Sequence, residues 1–402
     1  MRVLLHDYTG HPFQADLARQ LALLGHTVAH VSCDSFPAPK GLLTRREGDA
    51  SSLEFRTLSM PGGRFGKYSY VRRWRQERAY GHLLTGLLRD WSPDVLLICN
   101  TPLDPLTTVA RHCRRVGLPL VFWQQDIYSE AIKRYLGRRL GLAGRVLGQL
   151  YARKEAAVAR QARAVIAISE HFRPILARWS VPASRVHVIA NWAPLYPLPT
   201  PPGDANPWKR KHGFTGKRLL LYAGTLGLKH DPGKLLLLAG AVADLDDVLV
   251  VVVSAGAVAE QVARDAADQG LDNLRLLPFQ PHEEVPLMQA SAEVLLSVLE
   301  QGAGAFSVPS KVLSQLCAGR ALLASMPLEN DAARMIDEAG AGIVTAPRDH
   351  QGWLDAARTL LADPERSRGM GVAARRYAEQ AFDSRSIARR FEDVLEQGRA
   401  GG

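Results

Sequence analysis

Between Ala292 and Leu323 the chain gathers the residue types that an anion needs. Ala292 to Val298 is a short, mostly apolar run, as expected of a strand buried on both faces. Glu300 follows, then a glycine-bearing stretch to Val308 whose backbone could approach a ligand closely. Pro309 sits where a first helical residue would, Ser307 and Ser310 are candidate caps, and Lys311 adds a cation. A helix start of this kind is an anion site, although the same residues also compose an ordinary βα unit. Three further strand ends offer compatible groups. Gly224-Thr225 with Lys229 gives close backbone approach and a cation, Ser254-Ala255-Gly256 a small-residue turn, and Phe279 with Gln280 could flank a base. With Glu300 at hand, the set reads as a nucleotide diphosphate site with a carboxylate nearby.

The first half offers Asp126, just past the apolar run Leu118 to Trp123, where open α/β sheets place ligands; a helix cap or turn would serve equally. Arg64 to Arg78 interleaves Arg72, Arg73, Arg75 and Arg78 with Tyr68, Tyr70 and Trp74. That mixture suits a membrane headgroup region, single-stranded nucleic acid or a plain solvated surface. Ile132 to Arg163 reads as helical throughout, with Arg138, Arg139 and seven other basic residues against the single acid Glu155. Leu136, Leu140, Leu142, Val146, Leu147 and Leu150 give it an apolar face, as in helices that lie on anionic lipid.

The elements that must hold these residues alternate between strand and helix. Arg2 to Leu5, a turn-rich loop through Gly10-His11-Pro12, a helix from Phe13 to Leu24 and a strand from Thr27 to Val31 make an opening βαβ unit. No G-x-G-x-x-G follows the first strand, so a dinucleotide fingerprint is not supported. Further strands are expected at Asp94–Cys99, Leu118–Trp123, Ala164–Ser169 and Val186–Ala190. The second series is Arg218–Ala223, Val248–Ser254, Asn273–Leu277, Ala292–Val298, Ala321–Ser325 and Gly342–Thr345. Prolines crowd the stretch between them, so the expected organisation is an α/β domain over 1–192, a stiff linker over 193–207 and a second α/β domain over 208–380. A C-terminal helix over 381–402 is expected to pack back on the first domain. Two helices, Gln351–Leu361 and Ser367–Gln397, close the pattern. The fold class is two Rossmann-like domains with parallel sheets facing across a cleft.

Composition agrees with large buried cores: 402 residues, 47% of them hydrophobic. The net charge of +10 is uneven, since residues 1–190 hold 28 Lys and Arg against 14 Asp and Glu. Such a bias points to an anionic partner for the first half. Four scattered cysteines lack metal-ligand spacing and fit a reducing compartment. No apolar run reaches membrane-spanning length and none reads as a secretory signal, so a cytoplasmic location is expected.

The chain resembles a family 4 glycosyltransferase of the GT-B architecture over essentially its whole length. The resemblance rests on the glycine loop and helix after strand one, on YAGTLGLKHD (222–231), on LPFQPHEEVPLMQASAEVLLSVLE (277–300) and on VPSKVLSQLCAGRAL (308–322). It is nearest to bacterial members that build capsule, exopolysaccharide or O-antigen units on a polyprenyl diphosphate carrier. The resemblance implies retaining transfer of a sugar from a nucleoside diphosphate sugar, UDP-linked by preference, to a glycan or lipid-linked acceptor. It implies no further cofactor, no metal and no nucleic acid.

In that scheme Lys229 neutralises the leaving diphosphate, Ser310-Lys311 binds the distal phosphate, and Glu300 holds the donor. Asp126 stands near the sugar, where the family commonly has histidine, and Gly10-His11 closes over the donor. Donor contacts then include Gly224, Thr225, Ser254, Phe279, Gln280 and Ser307, while Arg72, Arg73, Trp74, Arg75, Arg138 and Arg139 form a membrane or acceptor face. The chain departs from the family at Ser314, where a second glutamate is usual, and at Thr225, where arginine is. A nucleotide-sugar 2-epimerase or hydrolase on the same scaffold, and a basic nucleic-acid-binding protein, are the competing readings.

Overall fold

The computed structural model describes residues 1–35, 42–61, 70–198, 203–227, 230–301 and 310–400. They form two compact units, Met1–Asn191 with Ser384–Gly402, and Trp192–Asp383.

Among the described residues, the first unit carries a seven-stranded sheet in the order β3-β2-β1-β4-β5-β6-β7, every pairing parallel. The strands are β1 (Arg2–Asp7), β2 (Thr27–Cys33), β3 (Leu53–Leu58), β4 (Val95–Cys99), β5 (Leu120–Gln124), β6 (Ala164–Ala167) and β7 (Val186–Val188). Helices α1 (Pro12–Leu23), α2 (Tyr70–Trp91), α3 (Leu103–Val116), α4 (Tyr128–Gln161) and α5 (Arg173–Arg178) fall between them. Parallel strands with helices on both faces must be apolar on both sides, and β4 (VLLIC) and β5 (LVFWQ) are buried at every position.

The second unit repeats the scheme with a six-stranded parallel sheet in the order β10-β9-β8-β11-β12-β13. After α6 (Pro207–Lys211) come β8 (Arg218–Ala223), α7 (Gly233–Ala241), β9 (Val248–Val253), α8 (Ala257–Asp268) and β10 (Leu274–Leu277). Then follow α9 (Val285–Ala290), β11 (Val294–Val298), α10 (Ser310–Cys317), β12 (Ala321–Ser325), α11 (Asp331–Glu338) and β13 (Gly342–Thr345). Helices α12 (His350–Ala362), α13 (Pro364–Ala381) and α14 (Ser384–Ala400) complete the chain. In each sheet the order reverses beside its first strand, between β1 and β4 and between β8 and β11. Open α/β sheets have their ligand crevice at the carboxyl ends of the strands at such a switch point.

In three places the structure departs from the sequence pattern. Strand β3 lacks an apolar strand signature: its sequence LEFRTL is only half apolar, because this edge strand has one covered neighbour and an open flank. The stretch read as one helix from Ser367 to Gln397 is two, α13 and α14, parted at Phe382 and Asp383. The Asp-Ser pair there is a helix-start signal inside the periodic pattern. Phe391 of α14 packs on Trp123 with ring centroids 4.7 Å apart, and Glu392 Oε1 pairs with His26 Nε2 at 2.7 Å, within the first unit.

The third departure concerns α4, which is not helical throughout. Gly141 adopts φ 54° and ψ −127° and interrupts it. A Cβ added to Gly144 would lie 2.0 Å from the Leu136 carbonyl oxygen, and one on Gly148 would lie 2.8 Å from the Lys133 Cα. Along one straight helix those pairs would stand roughly 12 and 22 Å apart. The chain therefore doubles back at Gly141 into a hairpin of two antiparallel arms, 128–140 and 142–161. Gly144 and Gly148, in a G-x-x-x-G spacing, remove the side chains that would keep the arms apart.

Candidate active site

In the second unit the crevice between β8 and β11 is assembled around an ammonium group. Lys311, in the first turn of α10, donates from Nζ to the Tyr222 hydroxyl at 2.5 Å and lies 4.0 Å from the centre of that ring. Tyr222 is fully buried in β8; burial raises its phenol pKa and keeps the hydroxyl protonated. That hydroxyl donates in turn to the Thr225 carbonyl at 3.0 Å, which ties the loop after β8 to the lysine. Gly224 has φ 136°, a conformation L side chains avoid, and its missing Cβ would sit 3.5 Å from the Lys311 Nζ. Backbone and cation therefore converge on one spot at the switch point. Ser254, at the end of β9, accepts from the Leu226 N–H at 3.2 Å, and His230 Nδ1 accepts from the Gly227 N–H at 3.0 Å.

Glu300 is exposed, two residues past β11 and on the switch-point side of the sheet. Lys229 and Ser307 lie outside the described residues. Ser310 is exposed at the first described position of α10. Ser314, at the position matched to the second family glutamate, is engaged inside the fold. Its hydroxyl donates to the Lys311 carbonyl at 2.9 Å and accepts from Gln289 Nε2 at 3.2 Å. Gln280 is spent on structure as well: Oε1 accepts from Trp208 Nε1 at 3.0 Å and Nε2 donates to the Pro278 carbonyl at 2.8 Å. Phe279 beside it keeps half its ring surface in solvent.

In the first unit the matching crevice is built on Asp7, the last residue of β1, which is fully buried. Its Oδ1 accepts from the Thr9 N–H at 3.1 Å, the Thr9 hydroxyl at 2.8 Å and Asn100 Nδ2 at 3.1 Å; its Oδ2 accepts from the His11 N–H at 2.8 Å. A buried carboxylate held by several donors fixes the loop that carries Gly10 (φ 77°) and His11. Asn100, itself at φ 52°, closes the same point from the end of β4. Asp126 is exposed two residues beyond β5. Its loop is fixed by Glu155, buried on the second arm of α4, which accepts from the Tyr128 and Ser129 N–H groups at 3.1 and 2.8 Å. Burial raises the Glu155 pKa against the pull of those donors.

The basic residues fall on two neighbouring helices. Arg72, Arg73, Trp74 and Arg75 are exposed near the start of α2, where Arg73 pairs with Glu77 at 2.7 Å. Arg138 and Arg139 lie on the first arm of α4. Both helices pack on α3, whose Asp104 accepts from Tyr151 and Lys154 of α4 at 2.8 and 2.6 Å. Asp244, in the turn between α7 and β9, pairs with Arg358. Tyr222, His230, Asp7 and Glu155 escaped the sequence reading. Asp7, Tyr222 and Glu155 are polar residues at the end of an apolar run or alone on an apolar face, and that placement was the available signal; His230, between Lys229 and Asp231, lacks it.

Two parallel α/β units, each with its polar residues gathered at the switch point of the sheet, define the GT-B class of folds. Two family models match: the glycosyl transferase 4-like domain over residues 10–192 and the glycosyl transferases group 1 over residues 204–377. The chain belongs to the family 4 glycosyltransferases. It is 22% identical over 176 residues to WcaI of Escherichia coli (strain K12), a protein named for colanic acid biosynthesis, covering 44% of this chain and 42% of that one. WbjE of Pseudomonas aeruginosa, named a glycosyltransferase, is 28% identical over 162 residues, 40% of each chain. The matches thus span about two fifths of the length of these relatives. Among solved structures, Anabaena HepE in complex with UDP superposes with a TM-score of 0.70 at 16% identity, over 98% of this chain and 100% of that one.

Proposed function

We propose that the protein is a retaining glycosyltransferase, moving a sugar from a nucleoside diphosphate sugar to a hydroxyl of a glycan or polyprenyl-diphosphate-linked acceptor in bacterial surface polysaccharide synthesis. The second unit takes the donor and the first takes the acceptor, in the cytoplasm and against the inner face of the cell membrane. The observation that carries this reading is the Lys311 ammonium fixed by Tyr222 beside the bare backbone of Gly224. Departure of a nucleoside diphosphate builds negative charge, and a preorganised cation at a helix start stabilises that charge as it develops. Lys229 supplies a second cation in this scheme and Glu300 holds the donor sugar. These groups do the work of a metal, so chelator should leave turnover intact. The UDP named in the HepE structure supports a UDP-sugar donor, and the name of WcaI supports a surface-polysaccharide role.

A thermal-shift comparison of UDP, GDP, ADP and CMP tests the donor site, because a ligand of the native state raises its melting temperature. UDP is expected to give the largest shift. No shift with any of the four would remove the donor site. Epimerised or rapidly released sugar from donor alone would move the assignment to an epimerase or hydrolase. Charge reversal at Arg72, Arg73 and Arg75 is expected to weaken binding to anionic vesicles, and unchanged binding would withdraw the membrane-surface role from α2.

A further inference from the structure

The hairpin made by α4 ends in a tip whose side chains stand in solvent. From 139 to 150 every side chain is exposed, and only Gly144 and Gly148, at the contact between the arms, are buried. Leu142 is 76% exposed and Val146 58%; Tyr135, Leu140, Leu147 and Leu150 each have roughly two fifths to one half of their surface in solvent. Exposed apolar residues crowded in this way mark a contact surface.

Their placement selects the partner. At about 100° per residue, Leu142 and Val146 lie roughly 160–200° around the second arm from Gly144, and Tyr135 lies about as far around the first arm from Gly137. The two arms meet on their glycine sides, so these apolar groups face outward in opposite directions. A single protein surface covers one such face; a bilayer surrounds both. Lys133, Arg139, Arg145 and Arg153 are exposed among them, while the acids of the hairpin are Glu130 near its base and the buried Glu155. Long cationic side chains of this kind reach back to anionic headgroups while their stems lie in the apolar layer. The first arm, 128–140, reaches about 20 Å and the exposed part of the second, 142–150, about 14 Å, both short of the roughly 30 Å of a hydrocarbon core. In keeping with that, no helix among the described residues is long and apolar enough to cross a membrane.

We propose that the tip of this hairpin, residues 139–150, inserts as an apolar wedge into one leaflet of an anionic bilayer. This rests on the membrane-surface part of the proposed function and deepens it: anchoring comes from burial of the tip as well as from surface charge on α2. The base of the wedge is fixed to the protein, since Glu155 on one arm accepts from the first N–H groups of the other. Asp126 lies two residues before that base, so insertion would set the acceptor side of the first unit at a defined height above the lipid.

The four native cysteines are buried, so a single introduced thiol can be labelled selectively. The full chain carrying Leu142→Cys with an environment-sensitive fluorophore is mixed with vesicles of equimolar phosphatidylcholine and phosphatidylglycerol. Its emission should shift to the blue and be quenched by lipids brominated in the acyl chain, while the same label at Leu328→Cys in the second unit stays aqueous. Flotation of the protein with an aqueous Leu142 label overturns the insertion and leaves the surface reading standing; absence of flotation overturns both. A blue shift that grows with protein concentration and needs no vesicles shows self-association instead, and also overturns it. Leu142→Ser with Val146→Ser, both surface changes that leave circular dichroism and melting unaltered, should weaken vesicle partitioning roughly tenfold or more and leave only salt-sensitive binding. Unchanged partitioning of that variant is equally fatal to the proposal.

Discussion

Lys311 does two jobs with one ammonium group: it presents charge beside Gly224 and, through Tyr222, holds the carbonyl of Thr225. These can be separated. Lys311→Ala removes both and is expected to lower transfer on the order of 10²-fold, the scale on which a preorganised charge acts. Tyr222→Phe keeps the ring under the cation but deletes its acceptor, so a smaller loss, about tenfold, should appear in kcat with the fold retained. Equal turnover in wild type and Lys311→Ala would take the residue out of the mechanism. Lys229→Ala and Glu300→Ala are each expected to cost about 10²-fold for the same electrostatic reason. Legibility was uneven at this scale. Gly224 and Lys311 could be named from sequence because a glycine at a strand end and a lysine at a helix start are conspicuous in an apolar chain. Asp7 and Tyr222 could not, because one carboxylate and one phenol look the same in a sequence whether they face solvent or organise a loop. The use of Ser314 and Gln280 inside the fold was hidden for the same reason.

At the scale of elements, apolar runs disclosed the buried parallel strands, since a strand covered on both faces has no polar alternation to confuse the reading. What escaped were features set by partners distant in sequence. The edge strand β3 is half polar, and the reversal in α4 rests on one residue, Gly141, inside an otherwise helical period. The hairpin gives a direct test of its own construction. Gly144→Ala places a Cβ against the Leu136 carbonyl, backbone that cannot turn aside, so the arms must separate. Gly86 has open space where its Cβ would be, which makes Gly86→Ala the matched control. Amide hydrogen exchange should speed up across residues 133–148 in Gly144→Ala, with the sheet strands unaffected and Gly86→Ala unchanged. Protection equal to wild type in the hairpin would show that the arms do not meet at this glycine.

At the scale of the whole molecule, the first unit is discontinuous: it is completed by α14, which buries Ile387, Phe391, Val394 and Leu395. Four such side chains represent roughly 6–12 kcal/mol of burial, about the whole stability of a domain. Truncation after Asp383 should therefore abolish cooperative unfolding of the first unit and leave that of the second.

Acid should act on the same unit. His6 is fully buried between Thr101 Oγ1 (2.8 Å) and the Tyr80 hydroxyl (3.0 Å), and burial, assisted by His30, lowers its pKa to about 3. Burial likewise takes His30 to about 4, although Asp7 Oδ2 at 3.9 Å pulls the other way. Both rings are neutral in the folded state, whereas in the unfolded chain they bind protons below about 6.5. Between about pH 6.5 and 4 the unfolded state therefore holds more protons, so the stability these histidines contribute is complete above that window and is lost as pH falls through it. At pH 5 the loss should be about 2 kcal/mol for each ring, a large share of a typical margin. Exchange of the β1 and β4 amides, measured against pH, should show that decline, and His6→Gln, which keeps neutral hydrogen bonding, should halve its slope. A slope the same in His6→Gln as in wild type would mean that acid unfolds this sheet through other groups.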